Sequence, residues 1–432
     1  MVTPDTGFGT TAPELSSEAN AARHAVHGSV LGNASALFIG QAVGLVVPLL
    51  VVPYLARVLG PAGWGPVLAA QGLANWLILI FEFGFDLSGT RAVARARATL
   101  GAMSQVVHAV QSAKLLLVAA TVPLVAVILF AIPSVRSRPA LFAWAVAFAV
   151  LRGLSPLWFY QGIERVRRAV AVDAVGRAAA ALGVFFLVHG PSDGWRVIAL
   201  QAALSAVTLV ALTVWLGYHV GFQRPRTSDG LATLRENWSL FACRVSSGLY
   251  IQANTLVLSA LASPVIVAFF GGAERIIRAA INLLQPLTQA FLPRLSFLRA
   301  ADEASATRMI RFALAGVGLV GASMGAVAFF GSHLLVRTLL GPGYESAVPV
   351  LRTLAALPPL VAVNTVLGMY WAVPFGHERV FLKTIIAAGF ANLVLAVSLV
   401  PHWGASGMAV AAISAEVVVL GMLGTAYIRR ST

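Results

Sequence analysis

Long apolar runs, each about as long as a membrane is thick, alternate with short polar connections along nearly the whole chain. A hydrocarbon core about 30 Å thick takes ~20 helical residues at a rise of ~1.5 Å each. Twelve runs meet that length: residues 29–55, 64–86, 105–131, 139–161, 167–188, 195–219, 237–262, 264–293, 308–331, 346–373, 379–400 and 404–428, numbered spans 1 to 12 below. They predict an all-α integral membrane protein. Several runs carry polar stripes at helical spacing. In span 8, Arg275, Arg278, Asn282, Gln285 and Gln289 share one face, with Glu274 at its edge; in span 7, Arg244, Gly248, Gln252, Thr255 and Ser259 do the same. Span 2 repeats the pattern with Gln71, Asn75, Glu82 and Asp86, and span 1 with Gln41, Gly44 and Pro48. An arginine left in lipid costs ~2.5–3.5 kcal/mol on the insertion scale. Aligned stripes on adjacent helices therefore predict a shared wet cavity, although bonding between packed helices is open to each residue singly.

Composition removes the soluble alternatives. The chain is 59% hydrophobic and 11% charged, with a mean hydropathy of +0.85. Its net charge of +14 would point a soluble chain toward nucleic acid, but the charge is distributed by loop. With the N-terminus in the cytoplasm, eighteen basic residues, among them Arg91, Arg95, Arg165, Arg167, Arg168, Arg294 and Arg429, fall on the inside, and five, Arg57, Arg136, Arg138, Arg196 and Arg337, outside. That bias predicts both termini in the cytoplasm of a multi-pass protein. Residues 1–28 are polar and lack a signal-peptide pattern, so they read as a cytoplasmic tail. The expected organisation is an N-lobe of six spans (29–219), a cytoplasmic linker (220–236) with room for a short surface helix, a C-lobe of six spans (237–428) and a short cytoplasmic tail (429–432).

Seven basic residues remain inside spans and need another account: Lys114, Arg152, Arg177, Arg244, Arg275, Arg278 and Arg352. Five acidic ones oppose them there: Glu82, Asp86, Asp173, Glu274 and Glu416. The excess predicts an anionic ligand in a low-dielectric setting. Asp173 with Arg177 and Glu274 with Arg278 stand four residues apart, acid first, which also allows plain helix pairs. Arg244 has no acidic neighbour within a turn. The single cysteine, Cys243, and eight scattered histidines offer no metal-ligand spacing, no cofactor is expected, and no phosphate-cradling GxxxxGK[ST] loop is present.

The halves repeat. A shift of 203 places Gln41 on Arg244, Pro61 on Pro264, Asn75 on Arg278 and Asp86 on Gln289; a shift of 214 places Gly162, Glu164, Arg165 and Val166 on Gly376, Glu378, Arg379 and Val380. Both loops of the second match are expected on one side, so the six-span halves read as parallel repeats about the membrane normal.

The stretches LVVPLLVVPYLARVLGPAGWG and FEFGFDLSGTRAVAR (Leu45 to Arg95), QANTLVLSALASPVIVAFFGGAERIIRAAINLLQPLTQAFLPRLS (Gln252 to Ser296) and, more weakly, GPGYESAVPVLRTLA from Gly341 resemble the Wzx-type polysaccharide flippases of the multidrug/oligosaccharidyl-lipid/polysaccharide exporter superfamily. The resemblance implies twelve helices in two lobes around a V-shaped central cavity, alternating access, and export of undecaprenyl-pyrophosphate-linked oligosaccharide from the inner to the outer leaflet for polysaccharide biosynthesis. The resemblance also implies a bacterial inner (plasma) membrane, and as partners that lipid, the bilayer and other polysaccharide-assembly membrane proteins, with no nucleic acid. Arg suits a diphosphate because its planar fork binds phosphate oxygens bidentately and stays charged when partly dehydrated. Arg244 and Arg278, with Arg275 assisting, are thus expected to grip the diphosphate. Gln252, Asn254, Asn282 and Gln285, together with Gln41 and Asn75, would meet sugar hydroxyls, and Glu274 or Asp173 would carry a coupling proton. Two rivals stay open: a drug or cation exporter of the same superfamily, and a membrane enzyme of polysaccharide assembly such as a polymerase, ligase or glycosyltransferase. The first should show cavity carboxylates without competing arginine; the second, a large outside loop or an acidic catalytic cluster.

Overall fold

The computed structural model describes residues 12–131, 133–285, 291, 294–295, 297–299 and 302–431, and most of their side chains from Val46 onward. Every regular element among them is helical. Ala12–Glu82 carries spans 1 and 2 and is broken at Gly60 (φ 63°, ψ 175°). Spans 3, 5 and 6 are Leu100–Ala131, Val166–Leu187 and Gly194–Val220; span 4 is built from Pro139–Gly153 and Leu157–Gly162. Span 7 lies in Thr227–Leu261, the described start of span 8 is Pro264–Asn282, and span 9 is Glu303–Phe330. Span 10 runs through Ala347–Leu354, Leu357–Thr365 and the π-helical Val366–Ala372, and Glu378–Ser431 holds spans 11 and 12, broken at Gly404 (φ 54°).

Eight of the described stretches are individually long and apolar enough to cross a membrane, and two of these, Val46–Ala96 and Glu378–Arg429, are hairpins. With the more polar spans 7 and 8, this is the twelve-span, two-lobe architecture expected from the apolar runs. Most of the connection between the lobes is helical. Only residues 221–226 leave the helix, and Thr227 already begins the helix of span 7. Its first turns lie on span 3, where the Arg226 backbone N–H donates to Ser112 Oγ at 3.1 Å and Gly230 sits where a Cβ would press on the backbone of Ser112 and Ala113 at 3.0 Å.

Local chemistry fixes the helix ends. Pro61 and Pro264 each open the second helix of their hairpin, a position where the missing N–H has no intrahelical partner to lose. Asp302 caps span 9 by accepting from the backbone N–H groups of Ala304 (3.0 Å) and Ser305 (3.2 Å); those bonds, with one from the Ser305 hydroxyl, hold its carboxyl below the usual carboxylate range. Lys114 is buried and donates to the carbonyls of Gly153 (2.7 Å) and Ser155 (3.4 Å), placing a cation at the C-terminal end of Pro139–Gly153.

The corner after span 4 recurs after span 10, two residues away from where the letters match. After span 4, Glu164 is left-handed (φ 59°), with Arg165 N–H bonded to Tyr160 O and Glu164 N–H to Gln161 O. After span 10, Gly376 is left-handed (φ 75°), with His377 N–H bonded to Ala372 O and Gly376 N–H to Val373 O. Both are Schellman terminations. Glu164 therefore corresponds to Gly376, a shift of 212, and the identities at 214 are out of register with the turn they share.

Candidate functional site

A cavity of about 670 Å³ lies between the N-lobe and span 8, within the ~300–1,000 Å³ range of small-molecule sites. Span 1 lines it from Val47 to Leu55, span 2 with Trp64, Gln71 and Asn75, span 4 with Phe148 and Arg152, span 5 with Asp173 and Arg177, span 6 with Gln201, Ser205 and Thr208, and span 8 with Arg275, Arg278 and Asn282. Among the described residues, none from span 7 is in this lining.

Four guanidinium groups meet here, and their partners differ. Asp173 is clamped by Arg152 and by Arg177, the latter at 2.8 Å. Glu274 accepts from Arg278 at 3.0 and 3.2 Å through one oxygen and from the Thr255 hydroxyl at 3.1 Å through the other. Arg275 has no ion pair among the described residues. It donates to the neutral amide oxygen of Gln71 and lies over the Trp64 ring at 4.8 Å, a cation–π contact. Four cations are thus opposed by two carboxylates, and the one nearest Trp64 is held by groups that leave its charge uncancelled.

The lobes meet on both sides of this depth. On the side of the sparsely charged loops, a Cβ at Gly65 would overlap the Pro264 carbonyl, Gly271 abuts Leu68, and Arg57 donates to Thr338 O. Toward the arginine-rich loops, span 2 runs along span 7: Gly72 faces Leu256, Gly248 faces Leu79 and Gly84 faces Leu240. Span 2 ends there in two left-handed residues, Phe83 (φ 49°) and Gly84 (φ 85°). For a phenylalanine that conformation costs on the order of 1–2 kcal/mol. It lays the buried Phe83 ring parallel to Phe241 of span 7 (4.1 Å, 9°), with Trp238 6.3 Å away. Beside that stack Asp86 and Arg244 form an ion pair between the lobes.

Residues 30–299 match the family described as "Polysaccharide biosynthesis protein", well over half of the chain. The chain belongs to that family. Two relatives bear the name "Putative O-antigen transporter": one from Escherichia coli (strain K12), 26% identical over 91% of this chain and 96% of its own length, and one from Shigella dysenteriae, 27% identical over 89% and 96%. Among solved structures, the fold is similar to the lipid II flippase MurJ in an inward closed conformation, with a TM-score of 0.71 and 13% identity over 91% of this chain and 87% of that one. It is also similar to an inward-facing multidrug resistance MATE transporter, with a TM-score of 0.63 and 17% identity over 90% and 98%. The resemblance to Wzx-type flippases drawn from the sequence motifs therefore holds, as does the two-lobe exporter fold.

Within this member of the polysaccharide biosynthesis family, Arg275, Arg278, Asn282 and Asn75 come together on the cavity, and Asp173 lies there too. Arg244 does not reach it: the acidic partner missing from its own helix is supplied across the seam by Asp86. Asn254 is buried inside the C-lobe, where it accepts from Asn392 at 2.7 Å, and exposed Gln285 is not among the lining residues. The side chains of Gln41 and Gln252, and the whole of Gln289, lie outside the described residues. Arg352, the remaining intramembrane base, donates to Ser332 Oγ at 3.0 Å, away from the cavity.

Spans 5 and 6 supply what the polar-stripe reading missed. Asp173, Gly176, Arg177 and Ala180 share a helical face, and so do Gln201, Leu204, Ser205 and Thr208; all eight line the cavity. The spacing was present, but small and singly polar positions gave it little weight. In span 7 the polar stripe contains Gly248, which packs against Leu79 of span 2, and a glycine on that face marks close helix packing. Among the described residues no group of three or more His, Cys, Asp or Glu side chains is placed to hold a metal ion.

Proposed function

We propose that this chain moves an undecaprenyl-pyrophosphate-linked oligosaccharide from the cytoplasmic to the outer leaflet by alternating access, with the arginine-rich loops on the cytoplasmic side. The observation that carries the reading is the sign of the cavity: four arginines line it against one carboxylate, Asp173, with Glu274 paired to Arg278 outside the lining and Arg275 held by Gln71 and Trp64. Only the headgroup of such a lipid needs solvating, since its polyprenyl tail can remain in the bilayer. Arg275 and Arg278 on span 8, facing Arg152 and Arg177 of the N-lobe, would grip the diphosphate. Asn75, Asn282, Gln201 and Thr208 would offer hydrogen bonds to sugar hydroxyls. Support comes from the two relatives named as transporters and from the fold shared with a lipid flippase. Those names also speak against an enzyme of polysaccharide assembly, and a cavity rich in arginine opposes a cation exporter.

Asp173 and Glu274 each hold an arginine that the diphosphate would also claim. Exchange of partners at either carboxylate is the place where a proton would enter the cycle, and transport unchanged by collapse of the proton gradient would exclude it. The deciding measurement is flipping in reconstituted vesicles. One charge-assisted contact is worth ~1.5–3 kcal/mol, so Arg275→Ala is expected to slow transport about ten- to hundredfold, with Arg275→Lys intermediate because it keeps charge without the planar fork. Wild-type flipping by Arg275→Ala would remove the anion site from this cavity.

A further inference from the structure

We infer that the corner of the N-lobe carrying Arg91, Arg95, Arg165, Arg167 and Arg168 docks the headgroups of anionic phospholipids in the cytoplasmic leaflet, a reading that rests on the orientation proposed above. All five side chains are exposed. They come from two connections that fold into one body. The helix Phe85–Ala96, which follows span 2, buries Phe85, Gly89 and Val93 and packs on the end of span 4: a Cβ at Gly89 would meet the Trp158 ring at 2.7 Å, and one at Gly162 would meet Val93 at 2.8 Å. The Thr90 hydroxyl reaches the Trp158 carbonyl at 3.0 Å. Arg91 and Arg95, one turn apart, are left on the open face of that helix. Arg97, just beyond it, pairs with Glu164 at 2.9 Å and ties it to the corner where span 5 begins. Of these six arginines, Arg97 alone stands in an ion pair among the described residues.

Span 5 shows which way the corner faces. Arg168, Val172, Val175, Ala179, Leu182 and Phe186 follow one another at steps of four and three, so they share one side of Val166–Leu187. Val175, Leu182 and Phe186 are 67%, 59% and 74% exposed, and none of the six lines the cavity, so this side meets acyl chains. Arg168 heads that stripe one turn beyond Val172, at headgroup depth. Asp173, Gly176, Arg177 and Ala180 line the cavity from another side of the same helix. The corner therefore meets the bilayer and not the transport path, which favours a bulk phospholipid over the transported one.

A bias of positive charge toward inside loops does not account for this placement. Arg165, Arg167 and Arg168 flank and enter the first turn of span 5, which has no acidic residue and whose dipole is already positive there. An anion beside them removes that conflict. The second lobe lacks the arrangement. At the shift of 212 that aligns the two corners, Arg165, Val166, Arg167 and Arg168 fall on His377, Glu378, Arg379 and Val380, so an acid stands beside the arginine that is kept.

The test reads lipid selectivity in the full-length protein with Cys243→Ser, since Cys243 is its only cysteine. A fluorescent thiol label is attached at Val172→Cys or, for comparison, at Ile386→Cys on the exposed face of span 11. Each protein is reconstituted in vesicles of phosphatidylcholine and phosphatidylglycerol over a range of proportions, with a nitroxide quencher on the chains of one lipid or the other. An arginine near an anionic surface is worth about fivefold in binding. Two or three acting together should give phosphatidylglycerol a preference of about twenty- to hundredfold at Val172, with a smaller one at Ile386. Arg168→Gln should lower it about fivefold, Arg168→Lys should keep most of it, and Glu164→Gln should raise it by freeing Arg97. Equal quenching by the two lipids at Val172, or glutamine variants that quench like the parent, would overturn the docking surface. So would displacement of phosphatidylglycerol by trace polyprenyl pyrophosphate, which would make the corner a collecting point for cargo. Because both leaflets hold the quencher and nothing has to be flipped, a protein that fails to transport or inserts the other way fails the earlier reading while this selectivity is still judged.

Discussion

Arg275 is the cavity arginine without a carboxylate partner among the described residues. Arg152, Arg177, Arg244 and Arg278 each face a carboxylate, and Lys114 caps a helix end, whereas Arg275 meets an amide and an indole. The residue types were legible in the sequence, as were the helical faces of span 8. Which arginine faces which acid was not, because Asp86 and Arg244 stand 158 positions apart and only the packing of the lobes brings them together. Asn254 makes the same point from the other side. It looked like a sugar ligand and is instead half of a buried amide pair. Asn254→Ala should lower the stability of the purified protein by ~0.6–2 kcal/mol, as for other interhelical hydrogen bonds, while leaving lipid affinity unchanged. Thermal unfolding and a binding isotherm on one preparation separate the two effects.

At the scale of helices, glycine decides how near the lobes come. Gly65 lies so close to the Pro264 carbonyl that any side chain must push span 2 from span 8 on the side away from the arginine-rich loops. Gly65→Val is therefore expected to bias the protein toward opening on that side, and thiol labelling of a cysteine introduced at Asn75 should accelerate from there. Such contacts hide in a hydropathy pattern, where glycine is a neutral letter. The spans themselves were easy to read, since twenty apolar residues in a row leave few alternatives. Polarity hid the other end of span 7 for a related reason: residues 227–236 are polar because they face water, yet they continue its helix.

For the whole molecule, the charge asymmetry makes a direct statement about orientation. In the Cys243→Ser background, a cysteine at Ser192 should react with an impermeant maleimide added to intact cells, and one at Thr99 only after lysis; both positions are exposed. The reverse result would place the arginine-rich loops outside and invert the direction of transport proposed here.

The two Schellman turns carry a consequence for how interchangeable the halves are. Gly376 adopts the left-handed conformation without strain, whereas Glu164 adopts it against the preference of a side chain and reaches Arg97 at 2.9 Å across an exposed pair. An exposed pair is worth ~0–1 kcal/mol and the conformation costs about as much or more, so Glu164→Gly should leave the protein as stable as before or slightly more so in thermal melts. If both halves descend from one duplicated ancestor, drift has rewritten the letters of this corner and kept its path.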